Sequence, residues 1–394
     1  MRAPFILIMF AAENKKEIHI KKEKSDAGKR VGSNGRRGLI FGLIAITVAI
    51  ILFLGVTIFL RYQQKPTEFQ KGMGYVTWSR DGYLTEYSDK SLAALRKIGV
   101  NWVSVVVTWY QADAWSTDIY RSENTPSDES LIHAIRRAHE LGMKVMLKMH
   151  LDIVDKSDGS WRGEIGFRKE DAWAEWFRGY NRYIMHYVSM AEKEKVEMVC
   201  VGTELSTTAT VKELLWRELI KKVRDNYSGL LTYAAHWDRY MDIRFWDALD
   251  YVGINAYFPL SQKMTPTPEE LDSGWTKWLP EIEEFQKRVD KPIIFPEIGC
   301  RPTDGSSTCP WEHMPKEKIN LELQKDYYGS VLKTFWEKEW FYGLYWWYWG
   351  TNVRMGGKHN RGFTPQNKPA EEVLKKWYHK PADRKQFEKA EDKA

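Results

Sequence analysis

The hydrophobic pattern divides the chain near residue 61. Before it, Gly38–Leu60 is a run of 23 residues without a charge, and about 20 apolar residues cross the hydrocarbon core of a bilayer as a helix. Beyond it, short apolar or β-branched runs alternate with stretches whose apolar residues recur at helical spacing. The runs are Met73–Trp78, Trp102–Trp109, Lys144–His150, Val196–Gly202, Leu230–Ala235, Tyr251–Ala256, Pro292–Phe295 and Tyr342–Trp347. Helical patterns cover Ser88–Lys97, Asp128–Leu141, Lys169–Lys195, Thr210–Asn226, a short Arg244–Leu249, Glu269–Val289, Ile319–Glu339 and Ala370–Tyr378. Gly99 and Gly142 punctuate helix ends, and Ser127, Asp128 and Ser130 offer N-terminal caps. Alternation of strand and helix implies a parallel sheet with right-handed crossovers. Eight such units in ~330 residues fit a closed barrel. A doubly wound open sheet is the alternative, but no glycine-rich phosphate loop follows the first strand. The expected fold class is therefore α/β, a (β/α)8 TIM barrel preceded by a single N-terminal transmembrane helix.

Charge orients that helix. Lys21, Lys22, Lys24, Lys29, Arg30, Arg36 and Arg37 precede it and Arg61 alone follows closely, so the positive-inside bias leaves the barrel outside the cytoplasm. No small-residue cleavage site follows the run, which favours a retained anchor in the cell membrane over a removed signal. The organisation expected is a basic cytoplasmic tail (1–37), the span (38–60), a linker (61–71), the barrel (72–380) and a charged C-terminal tail (381–394). Residues 1–61 carry +7 of a net charge of +6, leaving −1 on the rest. A nucleic-acid binder needs a basic face on its folded part, and none is left for one.

With the barrel outside, Cys300 and Cys309 lie in an oxidising compartment with eight residues between them, and a disulfide is expected. Cys200 sits in the apolar run Val196–Val201 and reads as a buried free thiol. No CxxC pair and no HExxH is present, so no metal and no cofactor is expected.

Function in such a barrel is read at the C-terminal ends of strands. Two carboxylates stand there directly after apolar runs. Glu204 closes Met198-Val-Cys-Val-Gly-Thr-Glu, and Glu297 closes Ile293-Ile-Phe-Pro-Glu. They belong to the fourth and seventh strands, on opposite sides of the mouth. A lone glutamate there is about as often a surface ion pair; two together flank one bond, as a retaining glycosidase requires. One attacks the anomeric carbon; the other protonates the leaving oxygen and then deprotonates water. Trp78, Trp109, His150, His236, Asn255, Tyr257, Trp347 and Trp349 fall at or just past strand ends. Indoles offer stacking platforms for pyranose rings, and His, Asn and Tyr offer hydrogen bonds to hydroxyls. The chain is 14% aromatic, more than a core demands, which suits a groove for a flat, partly apolar ligand. Some of these rings belong to the core, since alternate residues of Tyr345-Trp-Trp-Tyr-Trp face the outer helices. His150 and His236 are isolated, which disfavours a metal-dependent hydrolase. A non-catalytic sugar-binding barrel is disfavoured by the presence of both glutamates.

Several motifs together resemble glycoside hydrolase family 113: Val201-Gly-Thr-Glu-Leu-Ser, Pro296-Glu-Ile-Gly, Leu147-Lys-Met-His-Leu-Asp, Trp161-Arg-Gly and Leu231-Thr-Tyr-Ala-Ala-His-Trp. Phe245-Trp-Asp-Ala-Leu-Asp-Tyr-Val-Gly-Ile-Asn-Ala-Tyr, Gly362-Phe-Thr-Pro, Lys368-Pro-Ala and Trp377-Tyr extend the likeness over about residues 72–379. The resemblance implies endo-β-1,4-mannanase activity on a polysaccharide or oligosaccharide, with Glu204 as acid/base and Glu297 as nucleophile. It adds Lys148 and Thr203 to the substrate-binding set. It also gives Tyr257 the role of donating a hydrogen bond to the nucleophile. Thr203 stands where the wider clan has asparagine, so contacts to the sugar 2-hydroxyl must differ. The loop from Cys300 to Cys309 departs from the family pattern, and it directly follows the nucleophile. The same chemistry on another β-glycan, or exo action, remains open at this level.

Overall fold

The computed structural model of the chain describes residues 46–48, 68–312, 316–382 and 384. The expected span lies outside these residues except for Ile46–Val48, which are helical. The tail 1–37 and residues 385–394 also lie outside them. Among the described residues no helix is long and apolar enough to cross a membrane.

Eight parallel strands close a barrel in sequence order. They are β1 (Gln70–Val76), β2 (Trp102–Gln111), β3 (Lys144–Ile153), β4 (Met198–Thr203), β5 (Leu230–His236), β6 (Val252–Asn255), β7 (Ile293–Ile298) and β8 (Phe341–Gly350). Around them run α1 (Glu86–Lys97), α2 (Asp128–Glu140), α3 (Glu170–Lys193), α4 (Ser206–Val211), α5 (Glu213–Asn226), α6 (Pro268–Val289), α7 (Leu321–Phe335) and α8 (Pro369–Tyr378). β1 begins at Gln70, inside the stretch read as linker. The single helix expected over Thr210–Asn226 is two, because Lys212 leaves helical geometry at φ −120°, ψ 49°. No α-helix follows β5; the expected Arg244–Leu249 helix is a three-residue turn of 3-10 helix at Trp246–Ala248. Aromatic packing fills that place: Phe245 stacks on Trp216 of α5 with ring centres 5.5 Å apart.

Alternation along each strand sorts side chains into two layers. Trp102, Met146, Met198, Cys200, Ile294, Tyr342 and Tyr345 fill the barrel interior. Their outward neighbours, such as Val103, Val145, Val199 and Leu344, join the larger core beneath the helices. β1 and β8 approach so closely that a Cβ on Gly72 would lie 2.4 Å from the Tyr345 ring. Above the interior layer, Val76, Val106, Tyr257, Trp347 and Phe363 pack together as the floor of the mouth.

Two strands break alternation just before their glutamates. On β4 and β5, Cys200 pairs with Thr232 and Thr203 with Ala234, so β4 carries one extra residue. On β6 and β7, Gly253 pairs with Ile294 and Asn255 with Glu297, so β7 does the same. Such bulges re-aim the side chains that follow them.

Candidate active site

Glu297 depends on its bulge. Counting by twos from inward Ile294 would turn Pro296 and Ile298 inward and leave Glu297 facing the helices. Pro296 has no N–H to give a ladder and is tolerated where the pairing is interrupted. The extra residue turns Glu297 into the barrel mouth, 4% exposed. There Lys148 Nζ donates to its Oε1 at 2.6 Å, and Tyr257 OH donates to Oε2 at 3.1 Å. His150 Nε2 stands 3.1 Å from Oε1, in a skewed approach that does not make a well-aligned hydrogen bond. Burial alone pushes this carboxyl up, but the Lys148 ammonium and then His150 outweigh it and hold it well below the usual carboxylate range. Burial pushes the His150 imidazole down against the pull of Glu297, so the ring is neutral near pH 7. Burial and the Glu297 anion raise Tyr257 well above its ordinary value, so it stays a donor.

Glu204 reaches the mouth by another route. The bulge pairs Thr203 with inward-facing Ala234, and Thr203 Oγ1 donates to the Met149 carbonyl at 3.2 Å. Glu204 then takes a left-handed backbone, φ 56°, at a cost of about 1 kcal/mol or more for a residue with a Cβ. Its N–H is still tied to the Ala234 carbonyl at 2.8 Å. Its nearest cation is Arg162, whose Nη1 lies 3.4 Å from Oε2. The Arg162 guanidinium also meets Asp152 at 3.5 Å. Burial opposes the charge on Arg162, but Asp152, Glu204 and Glu297 together outweigh it and raise its pKa.

The structure gathers most of the expected residues. Lys148, His150, Thr203, Asn255, Tyr257 and Trp347 surround the two glutamates. Trp347 stacks on His150 with ring centres 5.6 Å apart and planes 12° apart, and the Trp347–Tyr348 peptide bond is cis. Asn255 faces inward beside Glu297, and neither of its amide atoms has a partner among the described residues. Trp78 stands on the rim, 48% exposed, edge-on to Tyr348. His236 is on the opposite rim, with Nδ1 2.6 Å from Asp238 Oδ1.

Three expectations are corrected. Trp109 faces the helices, donating from Nε1 to Tyr187 OH on α3 at 2.9 Å, because β2 turns Trp102, Ser104 and Val106 inward and every residue between them outward. Trp349 does the same on β8, donating to Ser91 Oγ on α1 at 2.8 Å. Cys300 and Cys309 form no disulfide; the first is buried in the core beneath the helices and the second is exposed on the loop. The loop is held instead by hydrogen bonds: Leu260 N–H donates to the Ser307 carbonyl at 2.9 Å, Asn320 N–H to the Pro302 carbonyl at 2.7 Å, and Arg301 to the Glu312 carbonyl at 2.8 Å and the Arg361 carbonyl at 3.1 Å. Sequence reasoning missed Arg162 and Asp152 as members of the site, although both lie inside quoted motifs. The signal was an aspartate near the end of β3 and an arginine in the segment that leaves it, next to the strand that carries Glu204.

The model of glycoside hydrolase family 113 matches residues 73–368. A solved family 113 β-1,4-mannanase is 32% identical, with a TM-score of 0.72 over 80% of this chain and all of its own. The family 113 β-mannanase of Alicyclobacillus acidocaldarius, solved with ManMIm, is 29% identical, with a TM-score of 0.71 over 79% of this chain and 97% of its own. A β-glucuronidase of Ruminococcus gnavus, 13% identical, has a TM-score of 0.54 over 79% of this chain and 50% of its own, a likeness of fold. Comparison with curated protein sequences finds no match.

Proposed function

The chain belongs to glycoside hydrolase family 113, and we propose that it cleaves β-1,4-mannosidic bonds of mannan or glucomannan with retention of configuration. Segment 38–60 anchors it in a membrane with the barrel on the extracytoplasmic side. The observation that carries the chemistry is the unequal dressing of the two glutamates. Glu297 is ionised and aimed by Lys148 and Tyr257, as a nucleophile must be. In the first step its carboxylate attacks the anomeric carbon while Glu204 gives its proton to the departing oxygen. A glycosyl-enzyme ester on Glu297 results. In the second step Glu204, now a carboxylate, takes a proton from water, whose oxygen attacks the same carbon and releases Glu297. Neutral His150 and the Trp347 ring wall the sugar bound between the glutamates. The mannan reading draws on the family 113 mannanases that the chain resembles over nearly its whole barrel.

The test is hydrolysis of mannan, glucomannan, xylan and cellulose by the purified full-length chain, with early products followed by proton NMR. Mannan and glucomannan are expected to be cleaved, and the first product is expected to be the β anomer, because two inversions restore configuration. An initial α anomer overturns the role of Glu297. Cleavage confined to xylan or cellulose overturns the mannan reading and leaves the mechanism standing.

A further inference from the structure

One strand serves both glutamates. Lys148, His150 and Asp152 alternate along β3 and so share one face. Lys148 and His150 meet Glu297 at 2.6 and 3.1 Å. Asp152, one step nearer the rim, meets Arg162 and through it Glu204. The guanidinium spans the two carboxylates, with Nη1 3.4 Å from Glu204 Oε2 and Nη2 3.5 Å from Asp152 Oδ1.

All three members of this bridge are held from outside it. Arg162 opens a turn of 3-10 helix, Arg162–Glu164, and the Gly163 carbonyl accepts from Thr207 Oγ1 on α4 at 2.8 Å. Since α4 begins at Ser206, two residues after Glu204, the guanidinium and the acid share one support. On Asp152, Oδ1 accepts from the Ile153 N–H at 3.0 Å and lies 3.1 Å from Lys156 Nζ. Burial pushes the Asp152 carboxyl up, but Arg162 and then Lys156 outweigh it and hold it below its ordinary value, so it is an anion at neutral pH. Other groups face the bridge. Tyr110 of β2, Tyr233 of β5 and Tyr257 of β6 are all raised by burial and stay neutral. His150 is neutral near pH 7, and the Glu297 anion is already paired with Lys148.

An unopposed cation at this distance favours the ionised form of a carboxyl by about 1–3 pH units. That would harm an acid that must carry a proton to the leaving oxygen. A second carboxylate on the same guanidinium offsets it. We propose that Asp152 is a positioning residue for the proton transfer, holding the second arm of Arg162 and offsetting its charge, so that the guanidinium orients Glu204 without stripping it of its proton. This rests on the reading of Glu204 as the acid/base. With Glu204 protonated, Asp152 and Arg162 form a neutral pair. When the proton passes to the leaving oxygen, the new charge on Glu204 falls beside Arg162, and the proton later taken from water restores the neutral state.

The experiment measures kcat/KM against pH for the purified full-length wild type and variants, on mannohexaose and on an aryl β-mannoside whose leaving group needs no proton. In Asp152→Asn the alkaline limb on the hexaose is expected to move about 1 unit toward lower pH, a ~10-fold loss beyond the limb. The acidic limb is expected to move less. The aryl substrate, whose glycosyl-enzyme forms without a proton from Glu204, is expected to lose less than about 2-fold. Asp152→Glu is expected to return the limb toward its wild-type place. Lys156→Met takes a cation from the same carboxylate and is expected to move the limb the other way, by less, because Lys156 is half exposed and screened. An alkaline limb that stays in place, two limbs that move together, or equal losses on both substrates overturn the role of Asp152. If Asp152→Asn does not fold, Lys156→Met decides alone: a limb that rises supports the role, and one that stays or falls overturns it. Glu204→Ala, run beside them, separates the premises. Its equal failure on both substrates removes the acid/base reading and this role with it. Its retained formation of the glycosyl-enzyme from the aryl substrate leaves that reading standing whatever Asp152 does. If the wild type cleaves a different β-glycan, a hexasaccharide of that glycan takes the place of mannohexaose; if it cleaves no glycan, both fall.

Discussion

The ends of β4 and β7 solve the same problem in opposite ways. Each strand inserts one residue before a glutamate. At β7 the carboxylate is caught from several sides by a buried ammonium, a phenol and an imidazole. At β4 the backbone is bent into a left-handed turn and the carboxylate meets one guanidinium at 3.4 Å, which it shares with Asp152. A group held in one protonation state needs fixed partners. A group that must give up a proton and regain it within each cycle is better served by loose ones. On the proposed roles, the contrast teaches that the surroundings, rather than the residue type, divide the labour between two identical side chains.

The largest effect expected from breaking this contrast comes from deleting each carboxyl in turn. Glu297→Ala is expected to lose turnover by on the order of 10⁴-fold or more and to form no covalent intermediate with any substrate. Glu204→Ala is expected to form the glycosyl-enzyme with aryl mannosides whose leaving groups need no proton, then to stall. Azide is expected to rescue that species with retained configuration, read by mass spectrometry and NMR. Identical failure of the two variants would erase the distinction between the strands.

Lys148→Met sharpens the comparison by making β7 resemble β4. Without the ammonium, burial is left to push Glu297 upward, so the acidic limb of the kcat/KM profile is expected to move to higher pH. Turnover is expected to fall ~10²–10³-fold, the scale of one lost preorganised donor. The wild-type linkage has the matching sign: the folded pKa of Glu297 is depressed, so its contribution to stability is present above the unfolded value of about 4.3 and is lost as pH falls toward the folded one. An acidic limb that stays in place in Lys148→Met would show that the ammonium does not set the state of Glu297.

The smallest effect concerns the loop after β7. Because hydrogen bonds and not a disulfide hold it, added reductant is expected to leave the melting temperature unchanged. Cys309→Ser is expected to change stability by less than about 0.5 kcal/mol, as for other exposed positions. Peptide mapping that links Cys300 to Cys309 would contradict this.

Much of the barrel was legible because its signals are local. Apolar runs of strand length, such as Lys144–His150, separated by amphipathic stretches, such as Asp128–Leu141, leave few alternatives to a parallel closed sheet. The two glutamates were legible because each ends such a run. What was not legible depends on register and space. Trp109 and Trp349 lie near strand ends, but their parity sends them to the helices, and the bulges that shift parity on β4 and β7 have only a faint trace in the sequence, the proline at 296. The disulfide failed for a similar reason: a short separation in sequence says nothing about which of two thiols the core will take.

The Lys148–Glu297 contact also bears on how the chain assembles. Its two members are 149 positions apart, on strands at different points of the ring, and both end up in a nearly dry interior. Neither charge can be enclosed alone without a penalty of several kcal/mol. A partly formed barrel that has β3 but has not yet received β7 must therefore keep its interior wet around Lys148. Arrival of β7 expels that water and sets the Glu297 carboxylate against the ammonium in one event. Sealing of the interior is thereby tied to the pairing of two charges that lie far apart in sequence.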